Sequence, residues 1–230
     1  MPWGERGEPE NEQDVIVAID GPAGAGKSTV ARAVAERLGF AHLDTGAMYR
    51  ALTVAALGGL LDPADHDQLA EVVASLDISL ADGTVSLGGR DISAELRAPE
   101  VTRAVSGIAA QPAVRAALVP LQRRLAHRTD VVVEGRDIGT VVFPDADVKV
   151  YLTAAPSERA RRRVRQLGLD DDALTIADIE GQMTARDRAD ASRVTAPLQQ
   201  PADAHRVDST GMSFPEVVDA VVAAATRDRP

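Results

Sequence analysis

Eight residues near the N-terminus, Gly21 to Ser28 (GPAGAGKS), fit the spacing G-x-x-x-x-G-K-[ST]. Each fixed position has a chemical reason. The glycines let the backbone curl until its N–H groups wrap a phosphate chain, Lys27 reaches the terminal phosphates, and the Ser28 hydroxyl suits Mg²⁺. Of the 25 cationic side chains only Lys27 and Lys149 are lysine, so a compact ammonium stands here in a chain that otherwise uses arginine.

A second group of residues could hold a second anion. Arg50, Arg136 and Arg193 are candidates for clamping a phosphate, because guanidinium forks bind its oxygens in pairs and several are needed to hold two anionic groups together. Asp137 can accept the amino protons of a base, while Arg115 and Ser106 can donate to ring acceptors; cytosine offers both kinds of group. Ile176, Ile179, Met183, Arg186, Asp190 and Arg193 fall on one helical face, its first half apolar and expected to be buried, its second half expected to overhang something charged. The alternative is that Arg186 and Asp190 form a solvated pair one turn apart. His42, His66, His127 and His205 share no motif and are expected to be structural or solvated. If the second anion is a phosphate monoester acting as nucleophile, none of them is needed, because such a dianion is ionised near neutral pH and attacks without a general base. The acid beside the metal stays open among Asp20, Asp44, Glu134 and Asp137.

These residues need elements to position them. Val15 to Ile19 reads as a buried strand running into the loop, and Val30, Val34 and Leu38 as the helix that follows, closed by Gly39. Phe40 to Leu43 reads as a second strand, ending at Asp44 or Thr45 as a helix cap. Asp62-Pro63 is expected to start another helix. From Asp77 to Ser93 the apolar period changes to two, with a turn at Asp82-Gly83, which predicts a small antiparallel meander. Helices from about Pro99 to Ala110 and Pro112 to His127 follow, then strands at Val131 to Val133 and Val148 to Leu152. A helix at Ser157 to Leu167 carries five arginines (159, 161, 162, 163 and 165), and another is expected near Thr175 with a Thr175/Asp178 capping box. A strand around His205 to Val207 and a helix from Pro215 to Ala225 close the series. The alternation predicts an α/β fold with a parallel sheet of about five strands, helices on both faces, and Asp20, Asp44 and Glu134 gathered at the strand ends where such sheets bind ligands.

At 230 residues the chain suits one domain with insertions, expected over 14–230 behind a disordered tail at 1–13 that includes Trp3. A net charge of −10 argues against a general nucleic-acid binder. There is no cysteine, which excludes disulfides and thiolate chemistry, and no apolar run approaches the roughly 18 residues of a membrane span. A cytoplasmic protein is expected, with no membrane or nucleic-acid partner. A GTP-dependent switch is excluded by its guanine-reading N-K-x-D element, because Asn11 is the only asparagine, although Asp208 to Gly211 matches D-x-x-G.

Taken together, GPAGAGKS, DTGAMYR at Asp44 to Arg50, the meander, EGRDIGTVVFPDA at Glu134 to Ala146 and RDRADASRVTAPL at Arg186 to Leu198 resemble bacterial cytidylate kinases, in order from Val15 onward. The resemblance implies the nucleoside-monophosphate-kinase fold, with a P-loop core at 14–60 and 129–230, a monophosphate-binding insertion at about 61–128 and a short helical lid at about 160–195. It implies transfer of a phosphate from ATP, with Mg²⁺, to CMP or dCMP by a chain expected to be a monomer. On the ATP side it places Gly21, Pro22, Ala23, Gly24, Ala25, Gly26, Lys27, Ser28 and Thr29. On the acceptor side it places Thr45, Tyr49, Arg50, Glu134 and Arg136, with Ser106, Arg115 and Asp137 reading cytosine and Arg186, Asp190 and Arg193 bridging lid and acceptor. Lys27, Arg136, Arg186 and Arg193 are the expected catalytic groups. Ala189 and Ala191 interrupt a run that is often richer in arginine, so Arg188 and Arg162 stand as alternatives for reaching the triphosphate. The competing reading is a kinase of the same core acting on another small phosphate acceptor.

Overall fold

The computed structural model describes residues 14–80, 83–127 and 129–227, so the expected tail at 1–13 and Asp82 of the expected turn lie outside the described residues. The chain opens with β1 (Ile16–Asp20), α1 (Lys27–Leu38), β2 (Ala41–Asp44) and α2 (Thr45–Leu57). It continues with α3 (His66–Ala74), β3 (Leu76–Ile78), β4 (Val85–Leu87), β5 (Arg90–Asp91), α4 (Pro99–Ala109) and α5 (Pro112–Ala126). It ends with β6 (Val131–Gly135), β7 (Val148–Thr153), α6 (Pro156–Leu167), α7 (Ala173–Ala191), β8 (His205–Asp208) and α8 (Phe214–Arg227).

Five strands pair in parallel in the order β2-β6-β1-β7-β8, and β3, β4 and β5 form a separate antiparallel meander. β1 is central and covered on both sides, which is why all five of its residues are buried. Its alternation sorts the core into two layers. Ile16 and Ala18 join Leu43, Val131 and Val133 against α2 and the segment from α3 to α5, while Val17 and Ile19 join Val132, Val150 and Leu152 against α1 and α8. In-register pairing then sets the polar ends side by side: Asp44 opposite Glu134, Glu134 opposite Ile19, and Asp20 opposite Gly135 and Tyr151. Among the described residues no single helix is long and apolar enough to cross a membrane.

Three local expectations need correction. The helix expected at Asp62-Pro63 begins at His66 instead, because Asp62 spends its carboxylate on the Ala64 N–H and its carbonyl on the Asp65 N–H, leaving Asp65 to cap Asp67 and Gln68. α7 is capped by Asp172, which accepts from the N–H groups of Leu174 and Thr175 and from the Thr175 hydroxyl, so Thr175 and Asp178 form no capping box. The apolar first half of α7 is half-buried rather than buried: Ile176, Ile179 and Met183 all stay partly exposed although α7 packs along α6 and Met183 reaches the loop at Gly24.

Candidate active site

The loop between β1 and α1 folds tightly against its surroundings. A Cβ on Gly21 would lie 2.0 Å from the carbonyl oxygen of Leu152 on β7, a distance no side chain allows. Gly24 has a left-handed φ of 69° and its missing Cβ would meet Met183 Cε of α7 at 2.4 Å. Gly26 caps α1 in the same left-handed region. Lys27 is buried, and its Nζ donates to the carbonyls of Gly21 (2.8 Å) and Pro22 (2.9 Å). Burial first, and then the positive charge of Arg136, push its pKa down to about 7. Thr29 is exposed at the start of α1.

The four acids at the strand ends separate by their partners. Asp20 accepts the N–H groups of Ile138 (2.8 Å) and Gly139 (2.7 Å), fixing the turn after β6. Asp44 caps α2 through the Ala47 N–H (3.0 Å). Asp137 pairs with Arg115. Glu134 alone faces the loop: its Oε2 accepts from Ser28 Oγ at 2.9 Å and its Oε1 lies 3.1 Å from His42 Nε2. His42 is therefore at the site, a contact across 92 positions that spacing along the chain does not reveal. Thr45, expected on the acceptor side, donates its hydroxyl to the Glu134 carbonyl at 2.7 Å and ties α2 to β6.

The arginines and their partners come from α2, α4, the segment after β6, and the end of α7 and the residues after it. Arg50 donates to the Leu96 carbonyl (2.9 Å) and Thr102 Oγ1 (3.0 Å). Arg136 Nε donates to Asp190 Oδ2 at 3.2 Å, and Asp190 also pairs with Arg193. Arg186 Nε donates to Ser106 Oγ at 3.2 Å and Arg193 Nη2 to the Ser106 carbonyl at 3.4 Å, so the end of α7 reaches α4. Arg186 and Asp190 are thus not a solvated pair. Burial and the charge of Arg136 push Arg186 down to about 10, and burial lowers Arg50, whose neighbours include Arg163, Arg136 and Arg97. Cations crowded until they depress one another form a place suited to anions. Sequence reasoning did not name Arg97, and named Arg163 only as one of five arginines on its helix.

Next to this cluster, Arg115 lies over the Tyr49 ring, 5.6 Å from its centroid, with Asp137 beside it. Burial pushes the Asp137 carboxyl up while Arg115 pulls it down. The Tyr49 hydroxyl is buried next to the buried Gln122 amide.

The five-arginine helix divides by environment. Arg159 is buried and donates to the carbonyls of Ala23 (2.8 Å) and Ala154 (3.2 Å), so it is no solvent-facing residue. Arg162 touches the loop side through Ser209 Oγ (2.9 Å), the Ser209 carbonyl (2.8 Å) and the Ala25 carbonyl (3.5 Å). Arg188 is exposed. Asp187, which sequence reasoning passed over, accepts the Ala23 N–H at 2.9 Å.

The chain's similarities agree with this geometry. It is 47% identical over 213 residues to the cytidylate kinase of Solibacter usitatus, covering 92% of each chain. It is 52% identical over 212 residues to a bifunctional pantoate ligase/cytidylate kinase from a Synechococcus species, covering 90% of this chain but only 43% of that protein. A solved structure of an uncharacterized protein from Eubacterium ventriosum superimposes with a TM-score of 0.52 at 11% identity, over 91% of this chain and 97% of that one, a likeness of fold. The cytidylate kinase family model matches residues 17–227, from the second residue of the first strand to the end of the last helix, and the chain belongs to that family.

Proposed function

We propose that the protein transfers the terminal phosphoryl group of ATP to CMP or dCMP, giving ADP and the pyrimidine diphosphate. The observation that carries this reading is the pairing of one anion loop, Gly21 to Thr29, with a second cationic crevice built from Arg50, Arg136, Arg186 and Arg193 beside a buried Arg115–Asp137 pair. One site holds the donor, the other the acceptor, and Arg136 lies close enough to Lys27 to lower its pKa. The acceptor phosphate supplies its own nucleophile, so the chain's part is to align it and to neutralise charge with Lys27, Arg136, Arg186 and Arg193. Asp137, Arg115 and Ser106 present an acceptor and two donors to the base, and Tyr49, Thr45 and Glu134 wall that side.

Ser28 and Glu134 fit Mg²⁺, which keeps several waters and takes few protein ligands, because a hydroxyl and a carboxylate oxygen already meet there at 2.9 Å. Bound with ATP, the ion supplies charge to the phosphates. Arg162 is the lid arginine placed for the triphosphate, since it borders Ala25, whereas Arg188 is exposed. The proposal includes a core at 14–60 and 129–230, an insertion at 61–128, a lid at 160–195, and a monomer acting in the cytoplasm.

The test is ADP release from Mg·ATP with CMP, dCMP, UMP, AMP, GMP or no acceptor. Turnover confined to CMP and dCMP is expected; turnover with another monophosphate moves the base-reading assignment, and equal release without acceptor removes the second site. Asp137→Asn should raise the KM for CMP by roughly 10-fold or more and that for ATP by less than about 3-fold, as loss of a charged hydrogen bond predicts. Asparagine is the better probe, because it keeps an oxygen to accept from the buried Arg115 guanidinium, whereas alanine leaves that group with no acceptor there and destabilises the fold more.

A further inference from the structure

Ala23, the third residue of the anion loop, has both of its backbone polar groups held from outside the loop. Its N–H donates to Asp187 Oδ1 (2.9 Å) and its carbonyl accepts from Arg159 Nη1 (2.8 Å), while Arg159 and Asp187 pair with each other. Those two bonds fix successive peptide planes, Pro22–Ala23 and Ala23–Gly24. Both side chains are largely removed from solvent, 8% and 15% exposed, and Arg159 is anchored again to the Ala154 carbonyl at 3.2 Å, so the pair is built into the structure rather than frayed on its surface.

The position of Asp187 on its helix gives this bracket a second meaning. Met183 and Asp187 are one turn apart and meet the loop, at Gly24 and Ala23. Arg186 and Asp190, also one turn apart and on the neighbouring stripe, meet Ser106 and Arg136 on the acceptor side. One rigid helix therefore carries donor-loop contacts and acceptor contacts side by side. We propose that Asp187 and Arg159 are positioning residues that couple the two substrate sites: an acceptor that fixes α7 through Arg186 and Asp190 also fixes Ala23, and so organises the loop for the triphosphate. The inference rests on the proposed function. Neither residue touches a reacting atom; they act through the loop backbone.

The experiment is calorimetric titration of Mg²⁺ and a non-hydrolysable ATP analogue into the full chain, with and without saturating CMP, for the wild type, Asp187→Ala and Asp187→Asn. In the wild type CMP should tighten analogue binding by about 5-fold or more, the lower end of ordinary site coupling. In Asp187→Ala that factor should fall to within about 2-fold of unity while the affinity for CMP alone stays within about 2-fold of wild type, a split that general loosening of the fold would not produce. Asp187→Asn keeps an oxygen for the Ala23 N–H but loses the ion pair, and should give an intermediate factor. An unchanged factor in Asp187→Ala overturns the coupling, as does a loss of CMP affinity at unchanged factor, which would make Asp187 an acceptor-site residue. If the alanine variant does not fold, an unchanged factor in the isosteric asparagine variant overturns it alone. A wild type that binds both ligands without mutual effect ends the coupling and leaves the proposed function standing; a wild type that binds no CMP ends both.

Discussion

A lysine with a pKa near 7 is an unusual resident of a phosphate loop, and its cause is the site itself. Lys27 is buried and repelled by Arg136, and these outweigh the two carbonyls that accept from its Nζ and favour the ammonium, so its pKa in the free protein falls to about 7. A triphosphate brings several negative charges to the ammonium and must raise that pKa again. The sign follows: above pH 7 the free lysine lacks a proton that the complex needs, so nucleotide binding takes one up. Calorimetry of the ATP analogue in buffers of different ionisation enthalpy should show uptake approaching about one proton at pH 8 and far less at pH 6. Lys27→Met should lose the difference between the two pH values, and a wild type with no uptake at pH 8 would contradict the depressed pKa. Many of the residues that the structure brings together around the candidate site could be named from the sequence, because loop and motif residues announce their chemistry by type. What was not legible is pairing at a distance. Four acids at strand ends look alike in sequence, and only the register of β6 beside β1 and β2 assigns Glu134 to Ser28 and gives Asp20 to the backbone of the next turn.

Elements set the charge environment as well as the geometry. β2 ends opposite Glu134, so the cap of α2 is a carboxylate placed beside another carboxylate: burial first, then Glu134, raise Asp44 to about 6. A carboxyl raised in the folded state contributes most below its unfolded pKa of 3.8, and that contribution is lost as pH climbs through about 6. Asn caps a helix as well as Asp does. Asp44→Asn should therefore leave stability nearly unchanged at pH 4 and add about 1–2 kcal/mol at pH 8, read from urea unfolding at the two pH values. A loss at pH 8 equal to that of Asp44→Ala would show that the charge serves α2 rather than burdening it. The strands, the meander and most helices followed from period and punctuation, since each strand of a covered parallel sheet is a short apolar run, whereas the strand order did not. Helix starts followed less well. Asp62 and Asp65 are equally good caps in sequence, and the choice fell to the one whose oxygen meets two N–H groups at once. The same holds for Asp172 against Thr175.

At the scale of the whole molecule, the two substrate sites are closed by different parts of the chain that touch through polar side chains. α7 packs on α6, and Arg186 on α7 and Arg193 just after it reach Ser106 on α4, while the core beneath is apolar, one layer on each face of the sheet. Contacts of that kind part more readily than a packed core, so the insertion and the lid are the segments expected to open and close. Chemistry requires such closure, because a phosphoryl group exposed to water while it transfers would be lost to hydrolysis. A ligand joining adenosine to cytidine through a phosphate chain occupies both sites at once and should hold α4, α6 and α7 shut. Hydrogen exchange at the amides of those three helices should then slow by roughly 10-fold or more, whereas β1, β6 and β7, buried in either state, should change little. ATP analogue alone should protect α6 and α7 but not α4, since the contact to Ser106 is made by arginines that serve the acceptor. Equal exchange at α4 with and without the joined ligand would mean that the insertion is fixed, and water would then have to be excluded by the lid alone.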